Sequence, residues 1–285
     1  MTSLRYKPVK WPKGARVAVT INVTHEWWSR QTRRMWGRDP QPRAAVSKTD
    51  YMVLTSTEYA FKSGIWRIME ILDRYKVKGT CFISGLAAEK EPEIVRELSQ
   101  RGHEIAAHSY DQSAQLFMMT REQEKEAIRK SVAALEKASG QRPVGWISPG
   151  TRPTENTLEL LVDEGFVWHG DFFDSDFPYK IPVKDRVIVE VPYKVPGHTD
   201  YDIFGIYGAM KTPTDAFQFL KDEFDAVYKE SARHPMRMAY CVHPYVSGIP
   251  GRAAALEKFI RYAKKHPKVW FARCIDIAKC VLGQA

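Results

Sequence analysis

The sequence predicts an α/β protein, a parallel β/α barrel folded as a single domain over residues 1–285. Three observations lead there. The chain has 285 residues, long for one domain but ordinary for a β/α barrel. Short runs rich in β-branched residues alternate with longer runs of helical periodicity, and such alternation implies parallel strand pairing. About eight strands are counted along the chain, which favours a barrel over an open doubly wound sheet. A dinucleotide-binding open sheet would also want a GxGxxG run after its first strand, and none occurs.

The elements follow in order. Residues 1–10 read as an extension. Arg16–Val23 (RVAVTINV) is a strand. Ser29–Thr57 reads as a long loop, and loops of that length tend to be functional; it is expected to cover the site. Ser63–Tyr75 places Ile65, Ile68, Met69, Ile71 and Leu72 at helical spacing. Gly79–Ser84 (GTCFIS) is a strand, Pro92–Arg101 a helix with proline in its first turn, and His103–His108 (HEIAAH) a strand. Thr120–Ser139 is a long helix opened by a Thr120/Gln123 capping box. Gly145–Ser148 is a short strand and Glu155–Glu164 a helix that stops before Gly165. Phe166–Phe172, Val187–Tyr193 and Arg237–His243 are further strands. Thr212 and Pro213 open another helix in cap-then-proline order. Gly251–Lys265 is a helix, Val269–Arg273 a last strand and Ile275–Leu282 a closing helix.

Composition narrows the class. Hydrophobic residues make up 44% and charged residues 27%, a balance that fits a globular core and not a disordered chain. The net charge is +9, with part of the excess between Arg30 and Lys48. No nucleic-acid motif accompanies that run, so it reads as a solvated basic loop. No stretch approaches the length of a membrane span, and the N-terminus lacks the apolar core of a signal peptide. The four cysteines form no CxxC pair and are expected to be buried thiols. The expected setting is cytoplasmic, with a small-molecule substrate and neither nucleic acid nor membrane as partner. A homo-oligomer is expected, the aromatic-rich Tyr193–Tyr207 segment reading either as an interface or as a pocket lid.

Catalytic groups of β/α barrels lie at the carboxyl ends of the strands. Those ends carry Thr24-His25-Glu26-Trp27-Trp28, His108-Ser109-Tyr110-Asp111-Gln112, Ser148-Pro149-Gly150, Asp171 with Asp174 and Asp176, and His243-Pro244-Tyr245. Carboxylates, imidazoles and aromatics so recur at one rim, which a barrel would gather into an active site. His103 reads instead as a turn anchor, and His198, His234 and His266 as solvated. His108 and His243 could also be satisfied core histidines, and Asp174 and Asp176 could simply shape the turn before Pro178.

Several of these segments resemble the polysaccharide deacetylase (NodB-homology) family. The likeness is sharpest in Gly79–Ser84, in Pro92–Leu98 and in Arg101–His108, with His243-Pro244, Gly251-Arg252 and Val269-Trp270 further on. It implies a distorted β/α barrel. It also implies a divalent metal held by an aspartate and two histidines, a neighbouring aspartate as base and a late histidine as acid. The chain departs from that pattern. Thr24-His25-Glu26 stands where paired aspartates are usual. His108 is kept, but Gln112 takes the second histidine's place, and Ile147 replaces an arginine two residues before Pro149. Among family branches the chain is more similar to the bacterial allantoinase and cyclic imide hydrolase group, described as working without the usual metal. The shared features are Tyr59–Arg67, Gly145–Ser148, Asp174–Tyr179 and Pro250–Arg252.

A catalytic zinc wants about three protein ligands. Glu26 and His108 supply two, with Asp111 as a conceivable third, so no cofactor is expected and zinc is the alternative. Without a metal, water must be activated by a side chain and the oxyanion held by protein donors. An imide or ureide suits that apparatus better than a plain acetamide, because its leaving nitrogen is stabilised by a second carbonyl. The expected activity is hydrolysis of a small cyclic amide, imide or ureide. Glu26 would be the base, its pKa raised by burial beside Trp27 and Trp28. His243 would be the acid, His108 would orient water or substrate, and Asp176 would orient a histidine. Trp27, Trp28, Tyr110, Ser148, Pro149 and Gly150 would line the pocket, with backbone N–H groups of the 148–150 turn as oxyanion donors. The alternatives are a metal-dependent N-deacetylase of an amino sugar or oligosaccharide, and a barrel that binds a metabolite without turning it over.

Overall fold

Every position of the first strand, β1 (Val17–His25), is buried, as expected of a parallel strand covered on both faces. The structure, a computed structural model, describes residues 7–29, 51–204 and 212–284. The basic run at 30–48, the extension to residue 6 and the end of the 193–207 segment lie outside the described residues. After β1 come β2 (Thr80–Ile83), β3 (Glu104–Ala107), β4 (Gly145–Trp146), β5 (Trp168–His169), β6 (Tyr179–Val183), β7 (Arg186–Glu190), β8 (Gly197–Thr199), β9 (Met236–Val242) and β10 (Val269–Ala272). The helices are α1 (Tyr51–Tyr59), α2 (Ile65–Arg74), α3 (Gly85–Lys90), α4 (Pro92–Gln100), α5 (Arg121–Ser139), α6 (Thr157–Asp163), α7 (Asp200–Phe204), α8 (Pro213–Glu230), α9 (Pro244–Ser247), α10 (Pro250–Ala263) and α11 (Cys274–Leu282).

All ten strands belong to one sheet, ordered β6-β7-β5-β4-β3-β2-β1-β9-β8, with β10 also on β1. Pairing is parallel except between β6 and β7. The barrel is distorted in a definable way. One continuous stretch, residues 186–199, pairs with β5 through β7 and with β9 through β8. Between those ladders the chain is tied inward by side chains: Asn22 donates to Tyr193 O at 2.9 Å, and Arg237 to Pro192 O at 2.6 Å and Val195 O at 3.0 Å. The curled sheet therefore closes through these bonds and not through a full strand ladder.

Side chains alternate across a strand, so parity decides what enters the barrel. On β1 the odd positions Val17, Val19, Ile21 and Val23 pack with the helices. Ala18 belongs to the second, interior cluster with Phe82, Ala106, Ile147, Trp168, Ala239 and Cys241. The same inward parity runs on through Thr20, Asn22 and Thr24 to Glu26. On β3 it reaches His108, and on β9 it passes Arg237, Ala239 and Cys241 to His243. Three chemical groups thus emerge at the same mouth because each continues an inward row.

Some elements differ from the sequence expectation. Residues 51–57, expected within the loop, are the first turns of α1, which runs into a π turn (Ala60–Gly64) and then α2. α3, α7, α9, β6 and β8 were not expected; each has five residues or fewer apart from α3 with six, too short for a periodic signal. The capping signals perform as expected. Thr120 and Gln123 cap each other at the start of α5, and Thr212 with Asp215 opens α8 ahead of Pro213. Cys81, Cys241 and Cys274 are buried thiols, Cys280 is partly exposed, and all four are free. No described helix is long and apolar enough to cross a membrane.

The π turn explains the Tyr59–Arg67 motif. It lets the backbone of Gly64 lie against the turn that follows His243. A Cβ on Gly64 would sit 2.1 Å from Pro244 O, and one on Gly248 2.3 Å from Gly64 Cα. Arg67 donates to Gly248 O, and Tyr59 Oη donates to the same oxygen at 3.3 Å. π turns inside α-helices often mark functional sites. Gly64→Ala is expected to cost about 1–3 kcal/mol through overpacking against rigid backbone. Thermal unfolding checks this, with Gly251→Ala as the control, since its added Cβ would meet nothing closer than Pro213 Cγ at 3.5 Å. Equal melting temperatures for the two variants would show that the close approach is absent.

Candidate active site

Glu26, His108 and His243 face one another at the carboxyl mouth of the barrel. Glu26 Oε1 lies 3.1 Å from His108 Nε2, and Glu26 Oε2 lies 3.9 Å from His243 Nε2. Tyr245 Oη donates to Glu26 Oε2 at 2.7 Å. His108 Nδ1 donates to Ile147 O, just past β4, at 3.0 Å, which holds the ring with Nε2 aimed at the carboxylate. All four side chains are buried.

His243 is held by a carboxylate that sequence reasoning missed. Asp200, the first residue of α7, accepts from His243 Nδ1 at 2.7 Å, from the His243 backbone N–H at 2.7 Å and from Ser247 Oγ at 2.8 Å. The imidazole thus presents Nε2 to the cavity. Burial disfavours the His243 cation, but the Asp200 charge and hydrogen bond, with Glu26, outweigh it and hold the pKa above 6.5. Burial likewise pushes Glu26 up, yet the His108 hydrogen bond, the His243 charge and the Tyr245 phenol win, so its pKa lies below 4.5. This corrects the expectation of a raised Glu26: burial penalises its charge less than its three partners stabilise it. The two shifts run in opposite senses and favour a carboxylate on Glu26 and an imidazolium on His243, the protonation states of a base and an acid ready to act.

A cavity of about 190 Å³ opens above this pair. Its walls include Thr24, Glu26, His108, Ile147, Gly150 and His243. The 193–204 segment contributes Tyr193, Lys194, Thr199, Tyr201 and Asp202. Up to residue 204, then, that segment is a pocket wall.

Other expected site residues are placed elsewhere. Asp176 is exposed and faces Glu223, Glu230 and His234, so the histidine-orienting carboxylate is Asp200 instead. Trp27 packs on Phe61 at 4.7 Å, on the helix side of β1, and is not a cavity wall. Trp28 stands edge-on to Tyr245 at 5.8 Å and so backs the cluster from behind. Tyr110 turns away, donating to Glu89 at 2.9 Å. Ser148 and Pro149 are buried beneath the wall, and Gly150 alone of that trio lines the cavity. Ser148 N–H and Oγ both donate to Asp171 at 2.7 Å. Of residues 148–150, proline having no N–H, only Gly150 keeps an amide for an oxyanion. His103 does anchor a turn, accepting from Gly79 N–H at 3.0 Å.

The donor set does not fit the metal triad that the resemblance implies. Asp111 accepts from Ser29 N–H, Ser29 Oγ and Ser113 N–H, which spends it on the loop. Gln112 turns its amide back to His108 O. Among the described residues no group of three or more His, Cys, Asp or Glu side chains is placed to hold one ion. Glu26 and His108 would be the two donors left from that triad, short of the usual complement.

Comparison with known proteins bears on this geometry. The polysaccharide deacetylase family model matches residues 46–168. A solved structure described as a probable polysaccharide deacetylase from Pseudomonas aeruginosa PAO1 is 31% identical, with a TM-score of 0.86 over 97% of this chain and 94% of that one. The crystal structure of Puue allantoinase is 29% identical, also with a TM-score of 0.86, over 97% of this chain and 94% of that one. A peptidoglycan deacetylase of Helicobacter pylori is 26% identical over 77% of this chain and 84% of its own length.

Proposed function

The chain belongs to the polysaccharide deacetylase family, and from that premise we propose that it hydrolyses a C–N bond in a small cyclic amide, imide or ureide. The family places it among hydrolases of non-peptide carbon–nitrogen bonds. The carrying observation for the finer reading is the set Glu26, His108, Tyr245 and Asp200–His243 around a small cavity, with the third-ligand position taken by Gln112. A volume of about 190 Å³ falls below the 300 Å³ or so at which drug-sized pockets begin, which favours a single small ring over an oligosaccharide. The likeness to an allantoinase over nearly the whole chain supports the same substrate class.

The reaction derives from the resting protonation states. A water between Glu26 and the substrate carbonyl gives its proton to the carboxylate as its oxygen attacks carbon. His108, fixed by Ile147 O, orients the carboxylate from the other side. The carbonyl π electrons move to oxygen. As the tetrahedral adduct collapses, the C–N bond breaks and the leaving nitrogen takes the proton of His243 Nε2. Glu26 Oε2 lies 3.9 Å from that nitrogen, beyond a direct hydrogen bond, so the abstracted proton returns to the imidazole through one bridging water.

The test is turnover of succinimide, hydantoin, allantoin and an N-acetylglucosamine tetramer by the purified chain, with and without a chelator. Ring opening that survives the chelator is the expected result. Activity confined to the tetramer, lost with chelator and regained with zinc, would replace this reading with metal-dependent deacetylation.

A further inference from the structure

The donors on the cavity wall are mostly committed. Thr151 Oγ1 donates to Gly150 O at 2.7 Å and Thr199 Oγ1 to Asp202 at 2.9 Å. Thr24 and Tyr193 share a hydrogen bond of 2.6 Å. The Lys194 ammonium lies 3.4 Å from Asp202 and over the Phe173 ring at 5.7 Å. Tyr201 is different. Its ring stacks on His243, with centroids 4.0 Å apart and planes 18° from parallel, and its hydroxyl meets that of Tyr245. Tyr245 has already given its single proton to Glu26 Oε2. The proton between the two phenols therefore belongs to Tyr201 and rests on a neutral hydroxyl, a weaker acceptor than the Asp202 carboxylate; the Thr24–Tyr193 pair is also hydroxyl to hydroxyl, but Tyr201 alone of these residues is stacked on His243.

We infer that Tyr201 is a catalytic residue whose phenol O–H turns from Tyr245 to the substrate oxygen as that oxygen becomes an oxyanion. The inference rests on the base and acid roles proposed above. No covalent bond to Tyr201 forms. As water oxygen bonds to the carbonyl carbon and its proton passes to Glu26, negative charge collects on the former carbonyl oxygen, and the Tyr201 proton is shared with it without transfer. Exchanging a phenol acceptor for an alkoxide makes this hydrogen bond stronger in the transition state than in the ground state, which is the condition for raising kcat. Tyr245 keeps its bond to Glu26 throughout, so the carboxylate is not disturbed by the exchange. The stacking places the same residue beside the acid.

Tyr201→Phe keeps the stacked ring and removes only the hydroxyl, so thermal unfolding is expected to match the wild type. Tyr201→Phe and Glu26→Gln are measured side by side on whichever of succinimide, hydantoin, allantoin and the N-acetylglucosamine tetramer the wild type turns over. Tyr201→Phe is expected to lower kcat by about 10²–10³-fold with KM changed less than about threefold. A kcat within about threefold of wild type, or a loss confined to KM, overturns the role of Tyr201. If Glu26→Gln collapses while Tyr201→Phe stays active, this inference fails and the proposed base stands. The reverse pattern leaves Tyr201 in place and removes the base.

Discussion

Glu26→Gln is expected to abolish most turnover, lowering kcat by about 10²–10⁴-fold, because the amide cannot take a proton from water at any accessible pH. The side chain keeps its size, so the cavity is preserved. Its hydrogen bonding is not. The carboxylate now accepts from Tyr245 at Oε2 and faces His108 at Oε1, whereas an amide offers one acceptor and one donor. One of the two partners is then left facing an N–H, and a buried group deprived of its partner costs about 1–3 kcal/mol. A modest fall in melting temperature should accompany the loss of rate. Glu26→Asp makes the contrast: it keeps an ionisable oxygen but withdraws it by one methylene, and should retain more activity than the glutamine variant. The measurement is kcat and KM for the three proteins on one substrate. Equal kcat for wild type and Glu26→Gln would remove Glu26 from the reaction and leave the fold without an assigned base.

Much of this was legible in the sequence, for reasons that can be stated strand by strand. The alternation of β-rich and helical runs gave the parallel architecture, and parity along Thr20-Asn22-Thr24-Glu26 and Arg237-Ala239-Cys241-His243 already pointed Glu26 and His243 the same way. What was not legible lay in two places. Asp200 and Tyr201 come from a helix of five residues after a strand of three, neither long enough to show a period, so the 193–207 segment could be read as an interface or a pocket lid but its individual residues could not be assigned to the rim. The signal that could have found them was chemical: His-Thr-Asp-Tyr-Asp at 198–202 is a dense run of site-type residues between two glycines. Asp176 was preferred because its strand end was recognisable, but β6 turns back antiparallel to β7 and carries that aspartate away to Glu223, Glu230 and His234. The sign of the Glu26 shift was the other miss. Burial could be read from the apolar strand, whereas the three groups that overcome it come from residues 108, 243 and 245, and only the folded chain brings them together.

The second large effect is expected from Asp200→Asn, and its signature is a displaced pH profile. Catalysis as proposed needs Glu26 ionised and His243 protonated. Glu26 is held below 4.5 and His243 above 6.5, so kcat/KM should be bell-shaped, rising on the acid side below the ordinary glutamate range and falling on the basic side above pH 6.5. Asp200 is the largest influence that raises His243 against burial. The same chain shows what burial does without such a partner. His25, one residue before Glu26 and equally buried, has no hydrogen-bonded carboxylate, and its pKa is pushed down to about 4 despite the Glu26 charge. Replacing Asp200 by asparagine should move His243 in that direction. The acid form is then lost at lower pH, so the basic limb shifts acidward, and activity at neutral pH drops the most. The asparagine amide can also donate to Nδ1 in place of accepting from it, which puts the neutral proton on Nε2 and reverses the ring's preferred tautomer. In a hydrolase whose histidine is oriented in this manner, the corresponding change costs about 10⁴-fold in kcat, and a loss of about 10²–10⁴-fold is expected here at pH 8. Partial recovery near pH 5 would set this apart from simple misfolding, which no lowering of pH would repair. A basic limb that stays where it is in the wild type would show that His243 draws its basicity from another group, and Asp200 would keep only its bonds to the His243 backbone N–H and Ser247 Oγ.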